Sequence, residues 1–181
     1  MPDDVAQFTL SLSVSGPLNG TDINYLHSAF PNLQVLNLRN ARIVSGGDAY
    51  HQWNVSSNGT ATIETWYGPW ETEDNVISRC MFYNMPTLRS LSLPKDATKI
   101  GEWAVGQDRN QTYRLKTIEL PTGVTEIGQC AFQYTGIEEV TVPAGVTRLE
   151  QYTFSYCKNL KKATLPDGIT FIGNKSQHPH R

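Results

Sequence analysis

Residues 45–79 of this 181-residue chain are rich in aromatic residues and carboxylates. The aromatic residues are Tyr50 and four candidate binding rings, Trp53, Trp66, Tyr67 and Trp70, and the acids are Asp48, Glu64, Glu71, Glu73 and Asp74. Flat rings beside carboxylates and amides can stack on sugars or anchor a protein partner. Alternatively, the rings pack on one another as a satellite core that holds a long loop in place. The sequence therefore predicts a ligand-binding site at the four rings, with internal packing as the competing interpretation.

Residue types that are common in active sites form no recognisable catalytic motif in this sequence. His51 lies near Asp48, but no nucleophile in a strained turn accompanies them. His27 falls within a predicted helix, and the two remaining histidines are close to the C-terminus. The acids of residues 45–79 resemble solvated loop carboxylates more than a glycosidase pair. Since no phosphate-binding glycine loop, HExxH or EF-hand pattern occurs, we predict no enzymatic activity, no cofactor and no metal site.

The composition argues against two classes of partner. The chain carries 15 Lys and Arg against 17 Asp and Glu, a net charge of −2, and has no basic run. It therefore lacks the positive surface that binds a nucleic-acid backbone. No apolar run approaches the ~18 residues that span a bilayer, so we expect no membrane insertion. Charged residues make up 18% of the chain, and such a polar, weakly charged surface fits an extracellular or cell-surface protein. No signal or lipid anchor is visible in the sequence.

A repeat dominates the second half of the chain. The pattern LxxLxLP, with other aliphatic residues replacing some leucines, occurs at residues 88–94, 115–121, 137–143 and 160–166. Its prolines are 27, 22 and 23 residues apart, and the longest step contains a short insertion at 107–112. Apolar residues also follow each proline by three and by six positions. Such self-similarity at a fixed period is typical of a stacked repeat architecture.

The repeat has a direct physical interpretation. In LxxLxL the last two apolar residues are two apart, so they point to one face of a short strand. Proline ends that strand, and a second extended segment follows it. The Ala131-Phe132 and Thr153-Phe154 pairs predict one helical or 3₁₀ turn per coil. Because a single coil cannot bury its apolar side alone, the coils must stack, which places their strands in a parallel sheet.

These residues carry a family resemblance. The frame LxxVxLPxxVTxIGxxAFxxC resembles the BspA-type leucine-rich repeats of surface and secreted proteins from gut and oral bacteria, Bacteroides among them. The resemblance covers about residues 85–173, with departures at Ala104-Val105 and Glu150. It implies an α/β fold, a right-handed leucine-rich-repeat solenoid. It also implies a non-enzymatic recognition module that binds a protein or glycan partner in adhesion or host interaction. Two alternatives are a structural spacer in a larger surface protein and a lectin-like sugar site at the aromatic rings.

The first half of the chain predicts an N-terminal α/β cap over residues 1–44. Residues 8–14 alternate apolar and polar side chains and predict a strand, followed by turns at Gly16-Pro17 and Asn19-Gly20. A short helix capped by Thr21 or Asp22 and a first LxxLxL strand at 33–38 complete this unit. The cap also resembles the region that precedes such repeats in Bacteroides-type surface proteins. Residues 45–79 are assigned to an aromatic-rich insertion, 80–173 to the repeats and 174–181 to a disordered tail.

The outer face of the predicted sheet is a second candidate site. We call it the polar face, and it consists of Ser90, Ser92, Thr117, Glu119, Glu139, Thr141, Lys162 and Thr164. Stacking of the repeats places Glu139 beside Lys162, and Glu119 beside Thr141. A shallow polar ladder can bind an extended partner; short polar residues on a strand face also simply keep a protein soluble. We therefore predict ligand contacts at Ser92, Glu119, Glu139, Thr141, Lys162 and Thr164.

Two further expectations concern the cysteines and the last repeat. The chain has three cysteines, an odd number, so they cannot all pair. Either Cys80, Cys130 and Cys157 are all small buried side chains, or Cys130 pairs with Cys157. The last copy stops at residue 173, before its turn, so an open core edge at residues 169–172 is expected to give weak self-association.

Overall fold

The computed structural model describes residues 3–57, 62–107 and 114–174, with the backbone alone described at 3–5, 51–57 and 62–67. The short insertion predicted at 107–112 and the tail predicted at 174–181 therefore lie largely outside the described residues, which omit 108–113 and 175–181. The first part of the chain contains α1 Asp3–Phe8, β1 Ser11–Leu18, α2 Gly20–Ala29, β2 Val35–Ile43, β3 Tyr50–Ser57 and β4 Thr62–Trp70. Short strands follow: β5 Val76–Ile77, β6 Ser90–Ser92, β7 Lys99–Ile100, β8 Thr117–Glu119, β9 Glu126–Ile127, β10 Glu139–Thr141, β11 Arg148–Leu149, β12 Lys162–Thr164 and β13 Phe171–Ile172.

The repeats form a solenoid in which each coil contributes one strand to each of two parallel sheets. One sheet has the strand order β1-β2-β6-β8, and the separate parallel pair β10-β12 lies next to it. Between β8 and β10 the described link is a hydrogen bond of 3.3 Å from the Glu138 N–H to the Lys116 carbonyl. The second sheet has the order β5-β7-β9, followed by the pair β11-β13. The predicted α/β solenoid with parallel sheets is therefore confirmed.

The core lies between the two sheets and is filled by the repeated aliphatic positions. Leu91, Ile118 and Val140, one from each of three successive coils, are buried in the first sheet. Ala97, Val124 and Val146, three residues after the prolines, are fully buried. In the last coil, by contrast, Leu165 and Ile172 are exposed. Burial of these rows is the main favourable contribution to folding, because each row continues across neighbouring coils.

Backbone hydrogen bonds also join successive coils at the turns that contain Cys80 and Cys130 and at the matching turns of the other coils. The Phe82 N–H donates to the Ala104 carbonyl at 2.7 Å, and the Cys130 N–H donates to the Gln151 carbonyl at 3.1 Å. The i→i+3 hydrogen bonds of a 3₁₀ turn are present, but residues with φ between +55° and +61° interrupt any helix. These are Cys80, Asn84, Trp103, Cys130, Tyr134, Tyr152 and Tyr156. The left-handed residues reverse the backbone so that alternate N–H groups reach the next coil.

The N-terminal unit differs from the sequence prediction at its first strand. The strand starts at Ser11 instead of Phe8, because a short helix, α1, occupies residues 3–8. Gly16-Pro17 is not a turn: both residues lie within β1, where Gly16 has φ +90°. Proline is tolerated there because β1 is the edge strand of its sheet, where an N–H need not be donated.

The predicted helix is present as α2, but its N-cap is Asn19 and not Thr21 or Asp22. The Asn19 side chain accepts hydrogen bonds from the backbone N–H groups of Thr21 and Asp22, and the Asp22 carboxylate accepts one from the Asn19 N–H. This reciprocal pair is a capping box. Ile23 and Leu26 on one face of the helix are buried. Strand β2 then pairs in parallel with both β1 and β6, which attaches the unit to the repeats; its role as a cap stays a prediction.

Residues 45–79 contain a hairpin where the sequence predicts a long loop. Strands β3 and β4 pair antiparallel, and Trp53 is the register partner of Trp66. Beyond the hairpin, β5 already pairs with β7 of the second sheet. The first strand of that sheet therefore lies inside the range assigned to the aromatic-rich insertion.

Candidate functional site

The polar face is built by the register of the short strands. Ser92 is the partner of Glu119, Glu139 is the partner of Lys162, and Thr141 is the partner of Thr164. The residue between the outward pair is buried in β6, β8 and β10, whereas Ala163 of the last strand, β12, is exposed. Neighbouring strands present equivalent positions side by side. Of the predicted contact residues, Ser92 is half-buried and the other five are exposed. The structure therefore brings these six residues together on one face of the solenoid.

Arg39 extends this face in a way that the sequence analysis did not include. Its guanidinium forms an ion pair with Glu119, although strand β6 lies between their two strands. Both side chains remain more than half exposed, at 56% and 58%. An exposed pair of this kind contributes at most about 1 kcal/mol. The pair therefore matters more for the charge that it presents at the surface than for stability.

A second row of charges lies just before the strands of the polar face. The Lys161 ammonium is 3.0 Å from the Glu138 carboxylate. The hydrogen bond from Lys161 lowers the pKa of the Glu138 carboxyl below its ordinary value. Glu139 and Lys162, the next residues along each strand, are aligned in the same way on the polar face. Two opposite charges therefore stand side by side on that face and present a donor and an acceptor to a partner.

The aromatic candidates divide into two groups. Tyr67 is the backbone register partner of Gln52, as Trp66 is of Trp53, so all three rings belong to the hairpin. The side chains of Trp53, Trp66 and Tyr67 lie outside the described residues. The Trp70 ring is half-buried and lies 6.0 Å from the Tyr50 ring. Trp70 therefore packs internally, as the competing interpretation predicts for the whole cluster.

Tyr50 anchors the base of the hairpin to the first coil of the repeats. Its ring is fully buried, and its hydroxyl donates to the Arg79 carbonyl at 2.6 Å. Burial raises the pKa of the Tyr50 phenol above its ordinary range. The Arg79 guanidinium in turn lies 6.0 Å from the centre of the Trp70 ring. The hairpin base is thus part of the core.

The three cysteines are buried free thiols, which agrees with the first of the two expectations for them. Burial raises the pKa of each thiol to about 11. Cys157 is also fixed by polar contacts, since its Sγ lies 3.1 Å from the Phe132 carbonyl and 3.2 Å from the Thr135 hydroxyl. Protonated, enclosed thiols are poor nucleophiles, so these residues serve packing.

His27 and Asp48 have structural roles. The Nε2 of His27 is 2.8 Å from the Met81 carbonyl, which joins α2 to the first coil. Burial lowers the pKa of this imidazole. Asp48 accepts a hydrogen bond from the Thr21 hydroxyl at 3.1 Å, whereas the side chain of His51 lies outside the described residues. Within the described ranges, no group of three or more His, Cys, Asp or Glu could hold a metal ion. No helix in the same ranges is long and apolar enough to cross a membrane.

A family model matches the repeats directly. The model described as the BspA type leucine-rich repeat region (6 copies) matches residues 75–177, which is more than half of the chain. The match begins next to β5, earlier than residue 80, where the sequence analysis starts the repeats. A search of curated proteins finds no match.

Several solved structures resemble parts of this chain at low identity. A leucine-rich repeat protein from Bacteroides ovatus is 20% identical, with a TM-score of 0.42, over 71% of this chain and 43% of that one. A leucine-rich cell surface protein from Faecalibacterium prausnitzii is 21% identical, with a TM-score of 0.42, over 74% of this chain and 51% of that one. A leucine-rich repeat protein from T. pallidum is 22% identical, with a TM-score of 0.33, over 54% of this chain and 66% of that one. The chain thus spans about half the length of the first two proteins.

Proposed function

Because the chain belongs to the BspA-type leucine-rich repeat family, we propose that it is a non-enzymatic recognition module of a bacterial surface or secreted protein. In this proposal the polar face binds a protein or glycan partner, as in adhesion or host interaction. The observation that carries the proposal is the register of the parallel strands, which aligns exposed polar side chains across successive coils. A rigid backbone holds these groups, so binding requires little ordering of the site.

The chemistry of the polar face suits a polar partner without a large net charge. Serine and threonine hydroxyls both donate and accept hydrogen bonds, and they serve amides and sugar hydroxyls equally well. The described charges include both signs: Glu119 stands beside Arg39, and Glu139 beside Lys162. Opposite charges in alternation favour specificity and register over long-range attraction.

The distal part of the hairpin is a second candidate, supported by the alignment of Trp53 with Trp66 across the two strands. Aromatic residues at paired positions of a hairpin can form a platform for a sugar ring. In that case the chain is lectin-like and the polar face is inert. A third possibility is a spacer, in which the repeats only separate other parts of a longer surface protein.

Three variants separate these candidates when they are tested on an array of glycans and host-matrix proteins. The first is Glu139→Arg, and its matched control is Asp96→Arg, which makes the same charge change at an exposed position away from the polar face. The third variant replaces residues 53–66 by Asn-Gly, which closes the hairpin after the Gln52–Tyr67 pair.

Each outcome assigns the function to one candidate. Binding that is lost in Glu139→Arg, but kept in Asp96→Arg and in the shortened hairpin, supports the polar face. Binding that is lost only in the shortened hairpin contradicts the proposal and supports the lectin-like candidate. The absence of binding to any array member by the intact chain favours the spacer.

A further inference from the structure

A pocket of about 360 Å³ opens on the corner of the solenoid, just before the strands of the first sheet begin. Its walls include apolar, polar and cationic residues: Phe8, Leu10, Gln34, Thr87, Arg89 and Arg114. The volume is within the range of small-ligand and side-chain pockets. The pocket lies outside the polar face, so its occupant is a separate question from the proposed function.

The backbone of the pocket is held by the stacking of the coils. The Leu10 carbonyl accepts hydrogen bonds from Gln34 and Val35, at 2.8 and 3.0 Å, and the Gln34 carbonyl accepts one from the Arg89 N–H at 2.7 Å. The Arg89 carbonyl accepts in turn from Lys116, at 2.9 Å. Gln34, Arg89 and Lys116 therefore occupy equivalent positions in three successive coils. The site is built on rigid backbone, and its side chains stand in a row.

One wall of the pocket is unusually apolar for a protein surface. The Phe8 side chain is 81% exposed, and that of Leu10 is 53% exposed. The wall is fixed in place, because the Asn32 side-chain amide donates to the Gln7 carbonyl at 2.8 Å. A phenyl ring left in water beside a preformed pocket loses hydrophobic stabilisation that an apolar ligand group would restore.

Another part of the pocket lining is cationic. Arg89 and Arg114 both line the pocket, and Lys116 follows Arg89 in the row. Among the described residues, Arg89 takes part in none of the ion pairs. Glu138, which follows Lys116 in the row, is paired with Lys161 at 3.0 Å and also feels the charge of Lys116. The described lining of the pocket itself contains the two arginines and no carboxylate. The chain as a whole has a net charge of −2. This corner is therefore a local positive site on a slightly negative protein.

We propose that the pocket binds a peptide segment of a partner protein in which a large apolar side chain stands next to a carboxylate. The apolar side chain packs on Phe8 and Leu10, and the carboxylate accepts hydrogen bonds from the Arg89 guanidinium. Arginine suits this role because its planar donor fork matches the two oxygens of a carboxylate. The combination of an apolar wall and a cationic wall selects for both features in one short segment.

The test uses the full chain and measures binding of two matched peptides by fluorescence anisotropy. The probe is labelled Gly-Leu-Phe-Asp-Gly-amide, and its partner has Asn in place of Asp. We expect the Asp peptide to bind at least about tenfold more tightly, because charge-assisted hydrogen bonds are roughly twice as strong as neutral ones. Phe8→Ser and Arg89→Glu should each weaken the Asp peptide, whereas Lys95→Glu, an exposed charge reversal outside the pocket, should not.

The proposal has clear contrary outcomes. Equal binding of the Asp and Asn peptides, or no binding of either by the folded chain, overturns it. A heparin tetrasaccharide that binds equally well to the intact chain and to Phe8→Ser, while the Asp peptide does not bind, would identify the corner as a polyanion site instead. Since Phe8 and Arg89 are both exposed, their variants should fold, which circular dichroism confirms before binding is measured.

Discussion

The rings of Phe132 and Phe154 stack face to face across two successive coils, with their centres 5.3 Å apart and an angle of 8° between their planes. Both rings are buried. The Phe132 N–H also donates to the Thr153 carbonyl at 3.0 Å, so backbone and side chain couple the same two coils. This pair shows how the solenoid is held together, since each coil completes the core of its neighbour.

We predict that Phe132→Ala and Phe154→Ala each lower the free energy of unfolding by about 3–5 kcal/mol. The loss has two sources, the apolar surface no longer buried and the cavity left behind. Equilibrium unfolding in urea measures it, with the exposed Phe8→Ala as control. The double variant should lose less than the sum of the single losses, because the stacked pair contributes about 0.5–1.5 kcal/mol of its own. A loss below 1 kcal/mol in both single variants would contradict the assigned register.

The capping box of α2 contributes to stability through Asn19. Asn19→Ala should destabilise the protein by about 1 kcal/mol, because the N–H groups of Thr21 and Asp22 lose their acceptor. Asn19→Asp keeps an acceptor, so its unfolding midpoint should be close to that of the natural protein. The unfolding midpoints of the two variants in urea test this prediction. Equal destabilisation of both variants would show that loss of the capping hydrogen bonds is not the cause.

Much of the solenoid could be predicted from the sequence because its information is local and repeated. The spacing of Leu91 and Leu93, or of Val140 and Val142, fixes which face of a strand is buried. The repeat spacing alone predicts that Glu139 lies beside Lys162, and the two residues are register partners.

The features that the sequence did not reveal depend on contacts between distant residues or on unusual backbone. The Arg39–Glu119 ion pair joins residues eighty positions apart, and no local pattern links them. The left-handed turns at Trp103 and Tyr152 use bulky residues where glycine or asparagine would be the usual signal. Gly16-Pro17 has the composition of a turn, yet it forms part of β1 because an edge strand tolerates proline.

The three buried thiols should make the protein less stable at alkaline pH. Burial raises the pKa of Cys80, Cys130 and Cys157 from 9.0 to about 11 in the folded protein. The folded state therefore holds these protons more tightly than the unfolded chain does. Their contribution to the free energy of unfolding is fully present below pH 9 and is lost as the pH rises towards 11.

We expect the urea midpoint to decrease as the pH is raised from 8.5 to about 10.5. The decrease should be smaller in the double variant Cys80→Ala/Cys130→Ala, because fewer thiols then titrate. A midpoint whose pH dependence is the same in both proteins would show that the thiols do not contribute. The same burial predicts slow reaction with a thiol reagent at pH 8 in the folded protein and rapid reaction in guanidinium.

The Arg39–Glu119 pair should contribute little to stability. Both side chains are more than half exposed, so a double-mutant cycle with Arg39→Ala and Glu119→Ala should give a coupling below about 1 kcal/mol. Screening by salt should reduce it further, and the cycle is therefore repeated in 1 M NaCl, where the Debye length is about 3 Å. A coupling that is large and independent of salt would mean that the pair is shielded from water.

We predict that the hairpin tolerates removal of its distal part but not removal of its base. Removal of residues 47–73 takes away Tyr50, whose ring is fully buried and whose hydroxyl donates to the Arg79 carbonyl. We expect that variant to lose several kcal/mol of stability, since removing a large buried aromatic side chain alone costs about 3–5 kcal/mol. Replacement of residues 53–66 by Asn-Gly keeps both Tyr50 and Trp70, whose backbones are register partners at the hairpin base. It should unfold close to the natural midpoint. Equal loss of stability in the two deletions would show that the distal hairpin packs on the repeats and is not free to bind.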